Sequence, residues 1–379
     1  MDLQLVATCM FGLERQLGEE LDALGLHRTE TMDGRVYFAG DPAAVARANV
    51  NLRCAERVLV LLGRFPATTF DDLFEGVKAL PWENWIGKND AFPVSGHSIR
   101  SALHSVPDCQ KIIKKAIVDR LSGVYGLRWF PETGVTYSVE FFLFKDVAAL
   151  MIDTSGTTLH KRGYRPGSGA APLRETLAAA IAAAARPRPD TLIWDPMCGS
   201  GTIAIEAAMM QAGMAPGANR GFAAEAFPAF PASLWRAARE EAAAAVRSDA
   251  CFEIYASDVD EAVLEIAKEN ARRAGVDRWV RVFRADARTI EKPDRRGTLI
   301  CNPPYGERMM SPAEAEDLYR AMGKNFARFD PWQIYVLTSH PAFERFYGRR
   351  ADKIRRLYNG MIPCFLYQFF KPRGPIGQR

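Results

Sequence analysis

The chain has 379 residues, more than one hydrophobic core usually serves, so two or more domains are expected. Apolar residues make up 48% and charged residues 25%, a balance that is typical of globular proteins and excludes a disordered chain. The formal net charge of +4 permits a nucleic-acid partner but does not require one.

Seven cysteines are scattered along the chain without a C-x-x-C pair or a regular spacing. This pattern indicates reduced thiols in a cytoplasmic protein and predicts neither a disulfide framework nor a metal site. Acidic residues interrupt the apolar positions at the start of the chain, which argues against a signal peptide. No apolar run approaches the ~20 residues of a membrane span, so no membrane partner is expected.

In the first part of the chain, strand and helix patterns follow one another without regular alternation, which predicts an α+β region. In chain order, the predicted elements are a strand at Leu3–Thr8, a helix at Glu14–Leu24, a strand at Arg35–Phe38, helices at Pro42–Asn51 and Phe70–Ala79, a strand at Ser98–Ser101, a helix at Asp108–Ser122 and a strand pair at Thr136–Phe144 and Ala148–Asp153.

A stretch rich in glycine and proline, residues 153–172, then divides the chain, and strands alternate with helices beyond it. Alternation that closes in an antiparallel hairpin predicts an α/β fold with a mostly parallel sheet. The predicted elements are a helix at Leu173–Ala184, a strand at Thr191–Trp194, a helix from Thr202, a strand at Glu253–Ala256, a helix at Glu261–Ala274, strands at Val280–Arg284 and Gly297–Cys301, a helix at Ala313–Ala327, a strand at Trp332–Thr338 and the hairpin strands Lys353–Tyr358 and Ile362–Phe370.

The motif Asp195-Pro-Met-Cys-Gly-Ser-Gly-Thr202 follows a predicted strand and opens a predicted helix. Gly199 and Gly201 allow the backbone to approach a ligand closely, because neither carries a Cβ atom. The free amide groups at the start of the helix favour a carboxylate ligand. The motif therefore predicts a binding turn at the edge of the sheet.

Two further carboxylates follow the next two strands, Asp258 and Asp286. Because the carboxyl ends of parallel strands line one edge of a sheet, both are expected beside the glycine turn. The first can accept both hydroxyl groups of a ribose, and the second can accept a proton of an adenine amino group. Asp258 alone is equally compatible with capping the following helix, although Asp260 could provide that cap instead.

Asn302-Pro303-Pro304-Tyr305 follows an apolar strand and is expected at the same sheet edge. The prolines fix the backbone and lack N–H donors, so their carbonyl groups point outward. The Asn302 side-chain oxygen and a proline carbonyl can together accept both protons of a planar NH₂ group, while Tyr305 stacks on the base. The reaction of such an amine depends on how it is positioned, and it needs no metal or covalent nucleophile.

Together, these two motifs resemble the class I S-adenosylmethionine-dependent methyltransferases that act on exocyclic amino nitrogens. Residues 153–180 narrow the resemblance, since they contain Asp-Thr-Ser-Gly, His-Lys-Arg-Gly-Tyr-Arg and Ala-Pro-Leu-Arg-Glu-Thr. They are similar to the THUMP-containing guanine-N2 RNA methyltransferases, especially the bacterial large-subunit rRNA enzyme and its stand-alone relatives. The resemblance covers nearly the whole chain, and residues 222–233 depart from the family pattern.

The resemblance implies a ferredoxin-like segment over residues 1–58, a THUMP-like RNA-binding domain over 59–155, a linker over 156–171 and a Rossmann-like methyltransferase domain over 172–379. That last domain would hold a mostly parallel seven-stranded sheet with an antiparallel terminal hairpin. The implied methyl donor is S-adenosylmethionine, with S-adenosylhomocysteine as the product and no metal. The implied cofactor residues are Asp195, Pro196, Cys198, Gly199, Ser200, Gly201, Thr202, Asp258, Asp286 and Thr176, and those at the target amine are Asn302, Pro303, Pro304 and Tyr305.

Basic residues at two places are candidates for RNA contact. The lysines of the helix at 108–122 fit either a phosphate-binding surface or an ordinary solvated helix face. The basic residues of the linker lie where RNA would pass from the binding domain to the active site. The candidates are Lys111, Lys114, Lys115, Lys161, Arg162 and Arg165.

The predicted function is methyl transfer to N2 of a guanine in structured RNA, with 23S rRNA favoured on resemblance alone and tRNA left open. The same tetrapeptide serves adenine-N6 methyltransferases on RNA or DNA, and also enzymes that methylate a glutamine amide. A non-catalytic RNA-binding assembly factor is a further alternative. The sequence leaves the modified nucleotide and the oligomeric state open.

Overall fold

The computed structural model describes residues 2–165, 173–304 and 310–371. The chain divides into two compact units. The first comprises Met1–Thr8, Gly18–Leu159 and Gly221–Glu241, and the second comprises Cys9–Leu17, His160–Arg220 and Ala242–Arg379.

The described part of the first unit contains a seven-stranded sheet with the order β2-β3-β1-β4-β7-β6-β5. The long central strand β4 joins the strands of the ferredoxin-like segment to those of the region that follows it. In this sheet β5 runs parallel to β6. The pairs β1–β3, β2–β3, β4–β7 and β6–β7 are antiparallel. Its elements are β1 (Leu3–Cys9), α1 (Glu14–Ala23), β2 (His27–Met32), β3 (Arg35–Gly40), α2 (Pro42–Asn51), β4 (Ala55–Pro66), α3 (Phe70–Lys78), β5 (Val94–Ile99), α4 (Val106–Tyr125), β6 (Val139–Phe144) and β7 (Val147–Asp153).

The segment Gly221–Glu241 packs within the first unit, although it follows the glycine turn and its helix in the chain. The ring of Phe227 stacks on Tyr137 at a centroid distance of 4.2 Å, and both side chains are buried. The amide of Ala224 donates to the carbonyl of Thr154 at 3.0 Å. An aromatic stack and a backbone hydrogen bond thus hold this segment within the first unit.

The described part of the second unit contains the other seven-stranded sheet, with the order β10-β9-β8-β11-β12-β14-β13. The strands from β10 to β12 are parallel, whereas β14 runs antiparallel to both β12 and β13. The elements after the first sheet are α5 (Glu175–Ala184), β8 (Leu192–Asp195), α6 (Thr202–Gln211), α7 (Ala232–Ala244), β9 (Ile254–Asp258), α8 (Glu261–Ala274), β10 (Val280–Arg284), β11 (Gly297–Cys301), α9 (Pro312–Phe326), β12 (Gln333–Thr338), α10 (Phe343–Tyr347), β13 (Lys353–Asn359) and β14 (Ile362–Phe369).

The fold class predicted from the sequence is confirmed. The parallel sheet closes in an antiparallel hairpin, as predicted, and Gly360 adopts a positive φ of 65° at the Asn-Gly turn between the two hairpin strands. Several elements were not predicted from the sequence. The strand β2 is almost fully exposed, so it shows no alternation of apolar and polar residues, and the continuous apolar run at 58–62 in β4 does not distinguish a strand from a helix. The missed elements are β2, β4, α7 and α10.

The order of strands reverses between β8 and β11, which are paired in parallel with Leu299 opposite Trp194. In doubly wound sheets, ligands bind outside the carboxyl ends of the strands at such a reversal. The glycine turn follows β8, and Asn302 follows β11. The topology therefore places both sequence motifs at one crevice.

Candidate active site

The glycine turn after β8 is held to the end of β9 by hydrogen bonds that its backbone amides donate. The amide of Cys198 donates to the carbonyl of Ser257 at 2.9 Å, and the amide of Gly199 donates to the Asp258 carboxylate at 3.0 Å. Gly199 and Gly201 adopt positive φ values of 49° and 81°, which favour glycine. The residue types of the motif are therefore those that this backbone requires.

The structure excludes one of the two roles left open for Asp258, the cap of α8. Asp260, not Asp258, is the N-cap of α8, and its carboxylate accepts from the amide of Ala262 at 2.8 Å. The Asp258 carboxylate instead accepts from the amides of Gly199 and of Asp260, at 3.0 and 3.2 Å. Asp258 therefore faces the glycine turn.

Asp286 lies beyond the end of β10, where the amide of Ala285 donates to the carbonyl of Asp258 at 3.1 Å. Its carboxylate forms an ion pair with Arg288 at 2.6 Å and accepts from the amide of the same residue at 2.9 Å. The Arg288 side chain lowers the pKa of Asp286. Asp286 is thus an ionised acceptor beside the end of β9.

Asp195 is fully buried at the end of β8 and accepts from the amide of Met197 at 3.2 Å. Burial raises the pKa of Asp195 to about 8, and the neighbouring Asp258 carboxylate adds to the increase. Asp195 is consequently protonated at neutral pH, while its hydrogen bond shapes the turn. Burial likewise raises the pKa of the Cys198 thiol well above its usual range, which leaves the thiol neutral.

The tip of β11 presents an unpaired acceptor. The side-chain oxygen Oδ1 of Asn302 is buried and has no hydrogen-bond partner among the described residues. The carbonyl of Pro304 accepts from the hydroxyl of Tyr319 in α9 at 3.1 Å. No donor to the carbonyl of Pro303 occurs in the described ranges. Tyr305, predicted to stack on the target base, lies outside the described residues.

Arg165 ties the chain before α5 to the first turn of α6. Its guanidinium group donates to the carbonyl of Leu173 at 3.2 Å and to the hydroxyl of Thr202 at 3.1 Å, and it pairs with Glu175 at 2.8 Å. Thr202 is 3.1 Å from the Ser200 hydroxyl, which lies in the glycine turn. The sequence analysis predicts RNA contact for Arg165 and does not predict its contacts with Glu175 and Thr202, because a sequence pattern does not show which acidic residue lies beside it.

Arg162 is buried, with 2% of its side chain exposed, beside the fully buried Glu206 of α6 at 3.5 Å. The hydroxyl of Tyr164 donates to the same carboxylate at 3.1 Å. A phosphate group does not reach a guanidinium enclosed in this way, so the position argues against the predicted RNA contact of Arg162. Pairing with Glu206 instead compensates for the burial of charge.

The predicted lysines of α4 differ in their surroundings. Lys114 pairs with Glu132, donates to the carbonyl of Phe92 at 3.1 Å and lies 3.5 Å from the centroid of its ring. Lys111 is 78% exposed and lies 3.6 Å from Asp108. Lys115, like Lys161 of the linker, does not share the contacts that hold Lys114. Lys111 and Lys115 are therefore better placed for phosphate contact.

Sequence reasoning also missed several residues that hold the site. Asn270 in α8 donates to the carbonyl of Ser200 at 3.0 Å, and Trp194 donates to the Ser257 hydroxyl at 2.9 Å. The signal for Asn270 was available, because it is a buried polar residue on the apolar face of α8. Two other predicted cofactor residues are also buried. Pro196 directly follows β8, and Thr176 lies in the first turn of α5.

The residues at the glycine turn fit a nucleoside with an amino-acid tail. A Cβ built on Gly199 would meet nothing within 4 Å, so the turn borders open space. Gly201 caps α6 without a side-chain hydrogen bond, and this leaves the amides of the first turn available to a carboxylate. The Asp258 oxygens retain lone pairs for ribose hydroxyl groups.

Comparison with known families matches three segments of the chain. The model of the RMKL-like methyltransferase domain matches residues 162–368, the RlmL ferredoxin-like domain matches 4–59, and the THUMP domain matches 67–153. The chain belongs to the RMKL-like methyltransferase family. Its members are S-adenosylmethionine-dependent methyltransferases, and the resemblance drawn from the sequence is confirmed.

Two relatives support the assignment. The chain is 43% identical over 373 residues to a Bacillus subtilis (strain 168) protein provisionally named RNA methyltransferase YpsC, covering 98% of this chain and 97% of the relative. It is 35% identical over 382 residues to the ribosomal RNA large subunit methyltransferase K/L of Cellvibrio japonicus (strain Ueda107). That match covers 97% of this chain but 51% of the relative, so the chain spans about half of that protein.

Two crystal structures share the fold over nearly the whole chain. A protein from Listeria monocytogenes str. 4b F2365, described as a predicted N6-adenine-specific DNA methylase, has a TM-score of 0.92 and 45% identity, covering 98% of this chain and 97% of its own. SMU.472, a provisionally assigned methyltransferase in complex with SAH, has a TM-score of 0.91 and 41% identity, covering 98% and 99%.

Within the described ranges, no cluster of three or more histidine, cysteine or acidic side chains is arranged to hold a metal ion. None of the helices in the same ranges has the length and apolar character needed to cross a bilayer.

The raised pKa of Asp195 predicts a pH-dependent stability. An unfolded aspartate loses its proton near pH 4, so between about pH 4 and pH 8 the folded state holds a proton that the unfolded state has lost. The stability that this proton contributes is complete below pH 4 and is lost as the pH rises towards 8. Asp195→Asn keeps an acceptor for the Met197 amide but does not titrate.

We therefore expect the unfolding free energy of Asp195→Asn, relative to the natural protein, to rise by about 1 kcal/mol per pH unit between pH 5.5 and pH 7.5. Urea denaturation without cofactor at several pH values measures this difference. A difference that stays constant with pH would contradict the assignment of a buried, protonated Asp195.

Proposed function

We propose that this protein transfers a methyl group from S-adenosylmethionine to the exocyclic N2 amino group of a guanine in structured RNA, with 23S rRNA as the favoured substrate. The observation that carries the proposal is that Oδ1 of Asn302, at the carboxyl end of β11, is buried and has no hydrogen-bond partner within the part of the chain that the structure describes. A buried acceptor without a donor costs free energy unless a ligand supplies the missing proton.

The target amine is held by two acceptors of the β11 tip. Asn302 Oδ1 accepts one N–H of the amine, and the carbonyl of Pro303 accepts the other. Two acceptors fixed in one plane set the rotation of the NH₂ group and draw its lone pair out of conjugation with the ring. Because the prolines restrict the backbone, the acceptors are positioned before the base arrives. Tyr305 is proposed to stack on the base.

In this proposal the glycine turn would hold S-adenosylmethionine, which when bound would supply a sulfonium-bound methyl group for the target amine. Asp258 would accept from the ribose hydroxyl groups, and Asp286 would accept from the adenine amino group. The amides at the start of α6 would bind the carboxylate of the amino-acid tail. The segment that Arg165 ties to Thr202 borders the same turn. The remaining predicted cofactor residues, Asp195, Pro196, Cys198, Ser200 and Thr176, shape the turn and its surroundings.

RNA is the proposed partner because a THUMP domain matches residues 67–153 and both curated relatives carry RNA or ribosomal RNA in their names. We propose the domain bounds 1–58, 59–155, 156–171 and 172–379, and a cytoplasmic location. Lys111, Lys115 and Lys161 are proposed to contact phosphate groups, with Lys114 contributing only if it leaves Glu132.

Methylation of adenine N6 is the second candidate. The Listeria monocytogenes structure is described as a predicted N6-adenine-specific DNA methylase, and adenine also presents a planar NH₂ group. The N-terminal RNA-binding unit favours RNA over DNA. The base and the substrate are decided together by the products that the enzyme forms.

Nucleoside mass spectrometry of rRNA and tRNA from a deletion strain tests the proposal. We expect N2-methylguanosine to fall in one RNA pool, to return with the natural gene, and not to return with Asn302→Ala. Asn51→Ala is the control, since the Asn51 side-chain amide donates to the carbonyl of Arg47 within α2. Loss of N6-methyladenosine instead would favour the second candidate, and full complementation by Asn302→Ala would remove Asn302 from catalysis.

The contrast between Asp258 and Asp260 tests the cofactor site. We expect Asp258→Asn to weaken S-adenosylhomocysteine binding about tenfold or more, because a carboxylate is lost as a ribose acceptor. Asp260→Asn retains a capping side chain and should leave the affinity within about twofold. Isothermal titration calorimetry measures both variants. Equal affinities for Asp258→Asn and the natural protein would exclude the ribose role.

The lysines of α4 test the RNA surface. We expect Lys111→Glu with Lys115→Glu to weaken RNA binding and to reduce the dependence of the affinity on salt, because fewer phosphates are neutralised. Lys324→Glu is a control that reverses one exposed charge in α9. Filter binding at two salt concentrations, with circular dichroism to confirm folding, measures the effect. Unchanged RNA affinity would mean that RNA follows another surface.

A further inference from the structure

Behind the β11 tip, Tyr319 connects the Pro304 carbonyl to the end of β12. Tyr319 is fully buried in α9, and its hydroxyl lies 3.1 Å from the carbonyl of Pro304 and 3.1 Å from the hydroxyl of Thr338. Thr338 is the last residue of β12 and is also fully buried. Its hydroxyl oxygen accepts from the amide of His340 at 3.1 Å.

The direction of this hydrogen-bond chain follows from counting protons. A prolyl carbonyl can only accept and a backbone amide can only donate. The single proton of the Tyr319 hydroxyl is therefore donated to Pro304, and the Thr338 hydroxyl must donate to Tyr319. The chain runs from the amide of His340 through Thr338 and Tyr319 to the carbonyl of Pro304. Burial raises the pKa of Tyr319, which keeps its hydroxyl protonated as a donor.

The tip needs such a support because proline restricts only part of its backbone. The rings of Pro303 and Pro304 fix φ, and the ring of Pro304 also restricts ψ of Pro303, but ψ of Pro304 stays free, so the direction of the Pro304 carbonyl is not set by the prolines alone. A hydrogen bond to the carbonyl of Pro304 fixes ψ at that residue. The donor comes from α9, whose Tyr319 ring packs edge-on against Phe343 at 5.1 Å and His340 at 5.6 Å.

We propose that Tyr319 is a positioning residue for methyl transfer, whose hydroxyl anchors the Pro304 carbonyl and thereby keeps Asn302 Oδ1 and the Pro303 carbonyl aimed at the target amine. The inference rests on the proposed function, since it assumes that these two acceptors bind the amine. It assigns no substrate contact to Tyr319.

Tyr319→Phe removes the hydroxyl and keeps the ring that packs on Phe343. We expect kcat to fall about 10- to 100-fold, since a small misplacement of a reacting group has an effect of this order. The affinity for S-adenosylhomocysteine and the KM for RNA should stay within about twofold. Tyr335→Phe is the matched control, because Tyr335 is also buried but its hydroxyl contacts Gln333 within β12.

Thr338→Val tests the same chain from its other end, and it serves if Tyr319→Phe does not fold. Valine has the size of threonine but cannot donate to Tyr319, so kcat should fall in the same direction. If the hydroxyls act in series, the double variant should be no slower than Tyr319→Phe alone. Additive losses, or a loss of cofactor affinity equal to the loss of kcat, would show a merely structural role and overturn the inference.

The failure of this inference is distinguishable from that of the proposed function. If Asn302→Ala is inactive while Tyr319→Phe has the kcat of the natural protein, the support is overturned and the proposed function stands. If Asn302→Ala is fully active, the proposed function fails, whatever the result for Tyr319. Steady-state methylation of RNA with radiolabelled cofactor gives kcat and KM for all the variants.

Discussion

The parallel pairing of β8 with β11 at the reversal of the strand order is the constraint on which the site depends. It brings the chain after Asp195 and the chain that begins at Asn302 to the same edge of the sheet. Hydrogen bonds from the turn to the end of β9 then fix the backbone amides of the cofactor side. The proline-rich tip, whose Pro304 carbonyl accepts from Tyr319, carries the acceptors that are proposed to bind the amine. The proposed reaction requires both motifs at the same crevice.

The surroundings of the crevice contain several buried charged groups, which are costly unless they are paired. Glu206, Arg162 and Tyr164 form one buried group, and Arg165 with Glu175 forms another next to the first turn of α6. Such groups specify a single arrangement of neighbouring segments, because removing one partner leaves an uncompensated buried charge. We infer that they fix the chain that borders the glycine turn, a role in positioning rather than in RNA contact.

The sequence predicted the fold of the second sheet well, because helices and strands there alternate with clear periods and end at recognisable turns. The two motifs of the site were found for the same reason, since their residue types are dictated by backbone geometry. The contacts of Asp258 could not be decided, because two aspartates precede α8 and only the position of the first helical residue tells which one caps it. The ion pairs of Arg162 and Arg165 were missed, since their carboxylate partners lie on other segments.

A crystal structure of the protein with S-adenosylhomocysteine and a guanine-containing RNA fragment tests the central claim most directly. The account predicts that the N2 amino group of the base lies within hydrogen-bond distance of both Asn302 Oδ1 and the Pro303 carbonyl, with the cofactor sulfur on the side of the glycine turn. A base bound elsewhere, or an Asn302 side chain that bonds only to the protein in the complex, would contradict it.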